Sequence, residues 1–367
     1  MIKFTVGQLA LAKALQGAER FATGIHTGGN LAELTLRGPQ LTIRTTDLTH
    51  EFITQIPYEG NEGNETLTFT TPVAPLHAYV SKLSDGTIRL EVDDTSLSVK
   101  GTQTRAHSRF GVSDSEAVPQ GFALDDTIPW AVGGDLPFST LSKLLAFAVE
   151  NPNGNRPALQ GVYATPMDGH LEWVATDGSR LARWKSRLMD FPPALFPVKT
   201  IQEMGRWASL TGCRWSDKIA EFHTETTTLR VRLLAGQYPD YQRVIPDTFM
   251  ATLTVETSAL RAALDRVMTI MANRESDPLY VTRDAEHLHF AVTTTTGHSE
   301  EDIPLQEAAG EFPEILFNPR FLLEGLRGLP EDSSLHLAIT GPQSPMRITN
   351  AEVWEWDYIV LPLRQLT

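Results

Sequence analysis

The sequence has a single cysteine, Cys213, so no internal disulfide can staple it, which fits a reducing compartment and a cytoplasmic location. A lone thiol could act as a nucleophile, but it reads first as a small buried core residue. No run of eighteen apolar residues is present to cross a bilayer, and the opening "MIKFTVGQLALAKAL" alternates apolar and polar residues instead of forming a signal-peptide core. Basic charge is also in deficit: 31 Lys and Arg against 45 Asp and Glu give a formal net charge of −14. That balance argues against a chain that coats nucleic acid through its overall field, although a local basic surface is not excluded.

Short catalytic signatures are missing as well. There is no Gly-rich phosphate loop, no Gly-x-Ser-x-Gly elbow, no His-Glu-x-x-His helix and no paired-cysteine zinc spacing. His287 and His289 in "EHLHF" share one strand face but have no third ligand nearby, and the pairs Asp93–Asp94 and Asp125–Asp126 sit in turn-like contexts where Asp is common. The stretch "ATDGSRLARW", Ala175–Trp184, crowds Thr176, Asp177, Ser179 and Arg180 together. It reads either as a hairpin corner or as the site of a metal-dependent hydrolase or nuclease.

What the chain does contain is a repeat. Three amphipathic helical segments, from Val6, Pro137 and Glu256, are each followed by alternating strand-like runs. A second helical segment then follows in each unit, from Thr71, Pro197 and Asn318, with a proline near its start, and more strands come after it. The spacing of roughly 120 to 130 residues suits a whole domain. The expectation is an α+β protein of three similar domains, residues 1–125, 126–249 and 250–367. One segment fits no helix or strand pattern: "GQYPDYQRVIP", Gly236–Pro246, which reads as a rigid aromatic connection.

Four segments taken together, "ATDGSRLARW", "GQYPDYQRVIP", "FNPRFLLEGLRGL" and the ending "YIVLPLRQLT", resemble the bacterial DNA polymerase III beta subunit, the DNA sliding clamp, and the resemblance runs end to end. It implies a non-enzymatic processivity factor without a cofactor: a head-to-tail homodimer closing into a ring of six domains, with helices lining a pore and sheets on the outer rim. Its partners would be duplex DNA in the pore, a clamp loader, and a DNA polymerase that docks through a short linear peptide. A phage- or plasmid-borne clamp variant is the nearest alternative.

A topologically linked ring needs only weak, exchangeable phosphate contacts, so an acidic chain is compatible with the role if the pore is locally basic. Lys13 with Arg20, Lys199 with Arg206, and Arg320 with Arg327 are each seven residues apart, which on a helix is one face. The resemblance adds DNA contacts on loops at Arg156 and Arg274, where the first domain offers only His26. Carried over residue by residue, it implies a peptide pocket of Leu159, Thr176, Gly178, Arg180, Leu181, Pro239, Arg243, Val244, Ile359, Val360, Leu361, Pro362, Leu363 and Arg364. Arg180 and Arg243 would stand at its edge. Ser179, Leu361 and Leu363 depart from the His and two Met of the family pattern, and Gln365–Thr367 extend the tail; branched Leu implies a choosier pocket.

Overall fold

The computed structural model describes residues 2–22, 30–60, 66–113, 117–132, 141–143, 145, 157–187, 191–207, 209–271, 277–353 and 355–364. Its elements follow one order three times. The first pass is β1 (Ile2–Gly7), α1 (Gln8–Glu19), β2 (Leu31–Arg37), β3 (Gln40–Thr46), β4 (His50–Glu59), β5 (Leu67–Pro72), α2 (Val73–Val80), β6 (Thr87–Val92), β7 (Ser96–Gly101) and β8 (His107–Gly111). The second is β9 (Ala131–Val132), β10 (Gly161–Met167), β11 (His170–Thr176), β12 (Arg180–Arg187), β13 (Ala194–Pro197), α3 (Val198–Met204), β14 (Gly212–Trp215), β15 (Ile219–His223) and β16 (Thr227–Arg232). The third is β17 (Ala251–Glu256), α4 (Thr257–Val267), β18 (Leu279–Arg283), β19 (His287–Thr293), β20 (His298–Gly310), β21 (Ile315–Phe317), α5 (Pro319–Gly325), β22 (Ser334–Ile339), β23 (Met346–Asn350) and β24 (Trp356–Val360). The helix expected from Pro137 falls mostly outside the described residues; Leu141–Lys143 are helical.

By contacts the chain forms two compact units, residues 1–134 with 209–233, and residues 135–208 with 234–367. Each contains a twelve-stranded antiparallel sheet. In the first unit the path is β8-β7-β6-β1-β4-β16-β15-β14-β9, and β2, β3 and β5 lie off it. In the second it is β13-β10-β11-β12-β24-β23-β22-β17-β20-β19-β18-β21. The joints β4·β16 and β12·β24 carry a sheet from one pass of the repeat into the next, which explains why the contact boundary falls inside the second pass.

Helices pack against each sheet. In α1 the buried Leu11, Ala14, Leu15 and Ala18 follow three- and four-residue spacing, and Gly17 lets the helix lie directly on β4, since a Cβ there would come within 2.5 Å of the Phe52 ring. Gly325 does the same for α5 against the fully buried Tyr358 of β24. The second helices are short; both α3 and α5 have seven residues. The Asn318 side chain caps α5 by accepting from the Arg320 amide at 3.0 Å, and Pro319 occupies the first turn.

Candidate functional site

The segment Gly236–Pro246 packs against β10, β11 and β12 of the second unit's sheet, and two tyrosines fasten it. Tyr238 stacks on Tyr163 with ring centroids 4.7 Å apart and donates to the Val174 carbonyl at 3.3 Å. Tyr241 opens a 3-10 turn, Tyr241–Val244, and donates to Glu172 at 2.6 Å. Burial, with the neighbouring Glu172 adding to it, raises the Tyr241 phenol far above its ordinary pKa, so it stays a donor. The two rings, with Val174, Leu181, Leu195 and Ile359, form one buried cluster. The rigid aromatic connection is therefore a side-chain-anchored cover, stiffened by Pro239 and Pro246.

Beside the cover stands the Thr176–Arg180 corner. Asp177 accepts from the amides of Ser179 (2.9 Å) and Arg180 (3.0 Å), Thr176 donates to the Arg180 carbonyl at 2.6 Å, and Gly178 takes φ +92°. That positive φ is one glycine adopts without strain. The corner reading, rather than the active-site loop, fits these bonds: the Asp177 carboxylate is committed to its own turn and to Arg180 at 3.1 Å.

Cover, corner and chain end enclose a pocket of about 210 Å3. Of the residues expected there, Leu159, Thr176, Gly178, Arg180 and Leu181 line it, as do Pro239, Val244, Ile359 and Leu361. The other five stand apart. Arg243 is largely exposed and pairs with Asp240 at 2.7 Å; Val360 is fully buried on the opposite face of β24. Leu363 donates its amide to Leu316 at 2.7 Å, and neither it, Pro362 nor the exposed Arg364 is in the lining. Ser179, Asp240, Tyr241 and Pro345 line the pocket in addition. Tyr241 was visible in the sequence as the aromatic of a rigid turn; Pro345 had no local signal.

Arg180 is not a free cation at the pocket edge. Its guanidinium bonds Asp177 and, at 2.6 Å, Glu324 of α5, and lies over the Phe321 ring at 4.3 Å. Burial alone would lower its pKa, yet the fields of Tyr358, Glu324 and Asp177 leave it raised. Burial would raise the Glu324 carboxyl, but hydrogen bonds from Arg320 (2.9 Å) and Arg180 hold it below the usual range.

The basic residues distribute as follows. Lys13 is exposed on α1 and Arg20 is its C-terminal cap, so the one-face spacing holds there. Arg206 and Arg327 lie beyond the ends of α3 and α5, so each shares no helix face with Lys199 or Arg320. Arg206 contacts Glu203 at 3.3 Å, and Arg327 approaches Glu324 at 3.9 Å. Arg156, Arg274 and His26 are outside the described residues.

Among the described residues no group of three or more His, Cys, Asp or Glu is arranged for a metal ion. His289 instead sits between Asp302 (2.6 Å) and Asp284 (3.1 Å), and the Asp302 hydrogen bond heads the causes of its raised pKa. Asp93 accepts from the amides of Thr95 and Ser96, and Asp125 from that of Thr127, as turn residues do. Cys213 is fully buried, which pushes its thiol up to about 12. No helix among the described residues is long and apolar enough to cross a membrane.

The sequence and the fold are similar to those of known proteins. Residues 242–364 match the family model described as DNA polymerase III beta subunit, C-terminal domain. The beta sliding clamp of Synechocystis is 28% identical over 325 residues, covering 80% of this chain and 82% of the relative. That of Caulobacter vibrioides is 27% identical over 389 residues, with 99% and 100% covered. A crystal structure of the C. crescentus beta sliding clamp superposes with a TM-score of 0.88 at 25% identity, covering 99% of both chains. The beta subunit from the DNA polymerase of Streptococcus pyogenes gives 0.87 at 18% identity, with 99% and 100% covered.

Fold and end-to-end sequence similarity thus define a DNA sliding clamp. Within that class the chain is one of the bacterial DNA polymerase III beta subunits.

Proposed function

We propose that two copies of this chain close head to tail into a ring that encircles duplex DNA and tethers a polymerase without catalysing a reaction. Each copy contributes three domains, residues 1–125, 126–249 and 250–367. The pocket holds a short peptide of the polymerase or of a clamp loader in the cytoplasm, and Lys13, Arg20, Lys199, Arg206, Arg320 and Arg327, with Arg156 and Arg274, face the DNA. The commitment of Asp177 and Arg180 to turn and ion pairs supports a non-catalytic reading of the corner.

The observation that carries the ring is the repeated joint. After each four-residue hairpin loop, the first paired residue of the new strand meets a strand of the next pass: Glu51 faces Arg230, and Leu181 faces Ile359. The equivalent residue in the third pass is His298, the partner of Thr293, and the position equivalent to Ile359 in the first pass is Arg109. Along His298–Asp302, β20 pairs with β19 alone, and β8 pairs with β7 alone among the named strands. Two edges are therefore left for the same joint, and they bear opposite charge: Glu300 and Asp302 on one against Arg105 and Arg109 on the other. A head-to-tail contact that closes after two copies gives a ring instead of a fibre. Sedimentation should give twice the 40.6 kDa chain mass at micromolar concentration, weakened by salt; a monomer under all conditions would remove the ring.

A further inference from the structure

We propose that the pocket is one end of a longer groove, in which a partner segment anchored by an apolar residue continues in extended form across the open sheet face. This rests on the peptide-pocket reading above. In an antiparallel pair, directly opposite residues point to the same face. One such row runs from Leu181 to Ile359, Arg347, Ala338, Thr252 and Ala309, crossing β12, β24, β23, β22, β17 and β20. Leu181 and Ile359 line the pocket; the other four line a separate open trough of about 640 Å3. Pocket and trough are thus neighbours on one face of one sheet. The Gly236–Pro246 cover, fastened at Tyr163 and Glu172, lies over β10–β12 and ends at the pocket, and beyond it Thr252, Ala309 and His336 stay exposed.

The polar groups of the trough say what kind of segment fits. Arg347 holds Asp357 through Nε and Nη2, each at 2.8 Å, and Asp357 is shared with Arg183, which also reaches Glu172. Nη1 of Arg347 has no partner among the described residues, nor does Nε2 of His336, whose Nδ1 faces Thr254 at 3.0 Å. The Arg347 donor therefore stands next to the pocket, the His336 ring in the trough donates through Nε2 when Nδ1 accepts from Thr254, and the exposed Glu307 stands at the far end. A carboxylate close to the apolar anchor complements the Arg347 donor, with the extension running toward Glu307. At about 4.8 Å between strands, Ile359 to Thr252 spans about 14 Å, which about four extended residues cover.

The test uses the full chain and three synthetic probes: acetyl-Ser-Leu-Leu-Phe amide, and the same peptide carrying Asp-Ser-Asp-Gly at its N-terminus or Gly-Asp-Ser-Asp at its C-terminus. Fluorescence anisotropy should show one extended probe binding about tenfold tighter than the short one. Arg347→Gln and Ala338→Glu should each abolish that gain while leaving the short probe's affinity unchanged. Equal affinity for all three probes, or a gain that survives both substitutions, overturns the groove. A fall in sedimenting mass on Ala338→Glu would mean that a second copy covers the trough, and overturns it too. Failure of the short probe to bind would instead bring down the pocket reading, and the groove with it.

Discussion

Replacing Arg180 by Met separates two roles for the same side chain. If the guanidinium were the anchor for a peptide, its loss would chiefly weaken binding. The structure predicts a stability effect instead, because Arg180 and Glu324 each have side chains only 4% exposed and face each other at 2.6 Å. Breaking a buried pair from one side costs about 3–5 kcal/mol. The low end, about 3 kcal/mol, applies here, since Glu324 keeps Arg320 at 2.9 Å and Asp177 keeps its two amides. The loss should appear in hydrogen-exchange free energies of amides in β12 and α5. It has a pH signature. The Glu324 carboxyl is held below its ordinary pKa in the folded chain, so its contribution is present above the unfolded value of about 4.3 and disappears as pH falls through the folded one. The gap between wild type and Arg180→Met should therefore be widest near neutrality and narrow below about pH 4. Adding Glu324→Gln should cost less than the sum of the two single changes. A stability loss under about 1 kcal/mol together with a large loss of peptide affinity would refute the reasoning.

Leu361 is 39% exposed in the pocket wall; covering that part with ligand is worth about 0.6–1.2 kcal/mol, so Leu361→Ala should weaken a pocket peptide about three- to eightfold. Leu363→Ala, outside the lining, should leave affinity unchanged in the same titration. Glu221 is 2% exposed, and although burial pushes its carboxyl up, hydrogen bonds from His223, Arg214 and Arg230 bring it down to about 2. Its contribution is present above the unfolded value near 4.3 and is lost as pH falls toward 2, so Glu221→Gln should flatten the acid side of the first unit's stability profile between those values. Acid titration with exchange at β14–β16 amides reads this, and an unchanged profile would count against the assignment.

The threefold order was legible because each pass shows its own periodicity: alternation in Phe4 and Val6, three- and four-residue spacing in Leu11, Ala14 and Leu15. Helix length was not. Lys199 with Arg206 and Arg320 with Arg327 suggested one face each, yet α3 and α5 stop after seven residues at Met204 and Gly325, because little local pattern distinguishes a helix end from the turn that follows. The pocket was legible where motif residues line it, as Leu181, Pro239 and Leu361 do. The true environment of Arg180 was hidden, since Glu324 is 144 residues away and no local pattern pairs them. Sheet joints such as Glu51 with Arg230 were hidden for the same reason.

The central claim, a closed ring around duplex DNA, is tested most directly by covalent closure. Arg109→Cys and His298→Cys in one chain place two thiols directly opposite across the proposed joint, within disulfide reach. The native Cys213, buried with its thiol pushed up to about 12, should stay out of the reaction. Oxidation in the presence of circular plasmid should yield a covalent dimer that stays with the DNA through denaturing detergent and is released when the plasmid is cut once. Absence of the covalent dimer, or equal retention on linear and circular DNA, would contradict the ring.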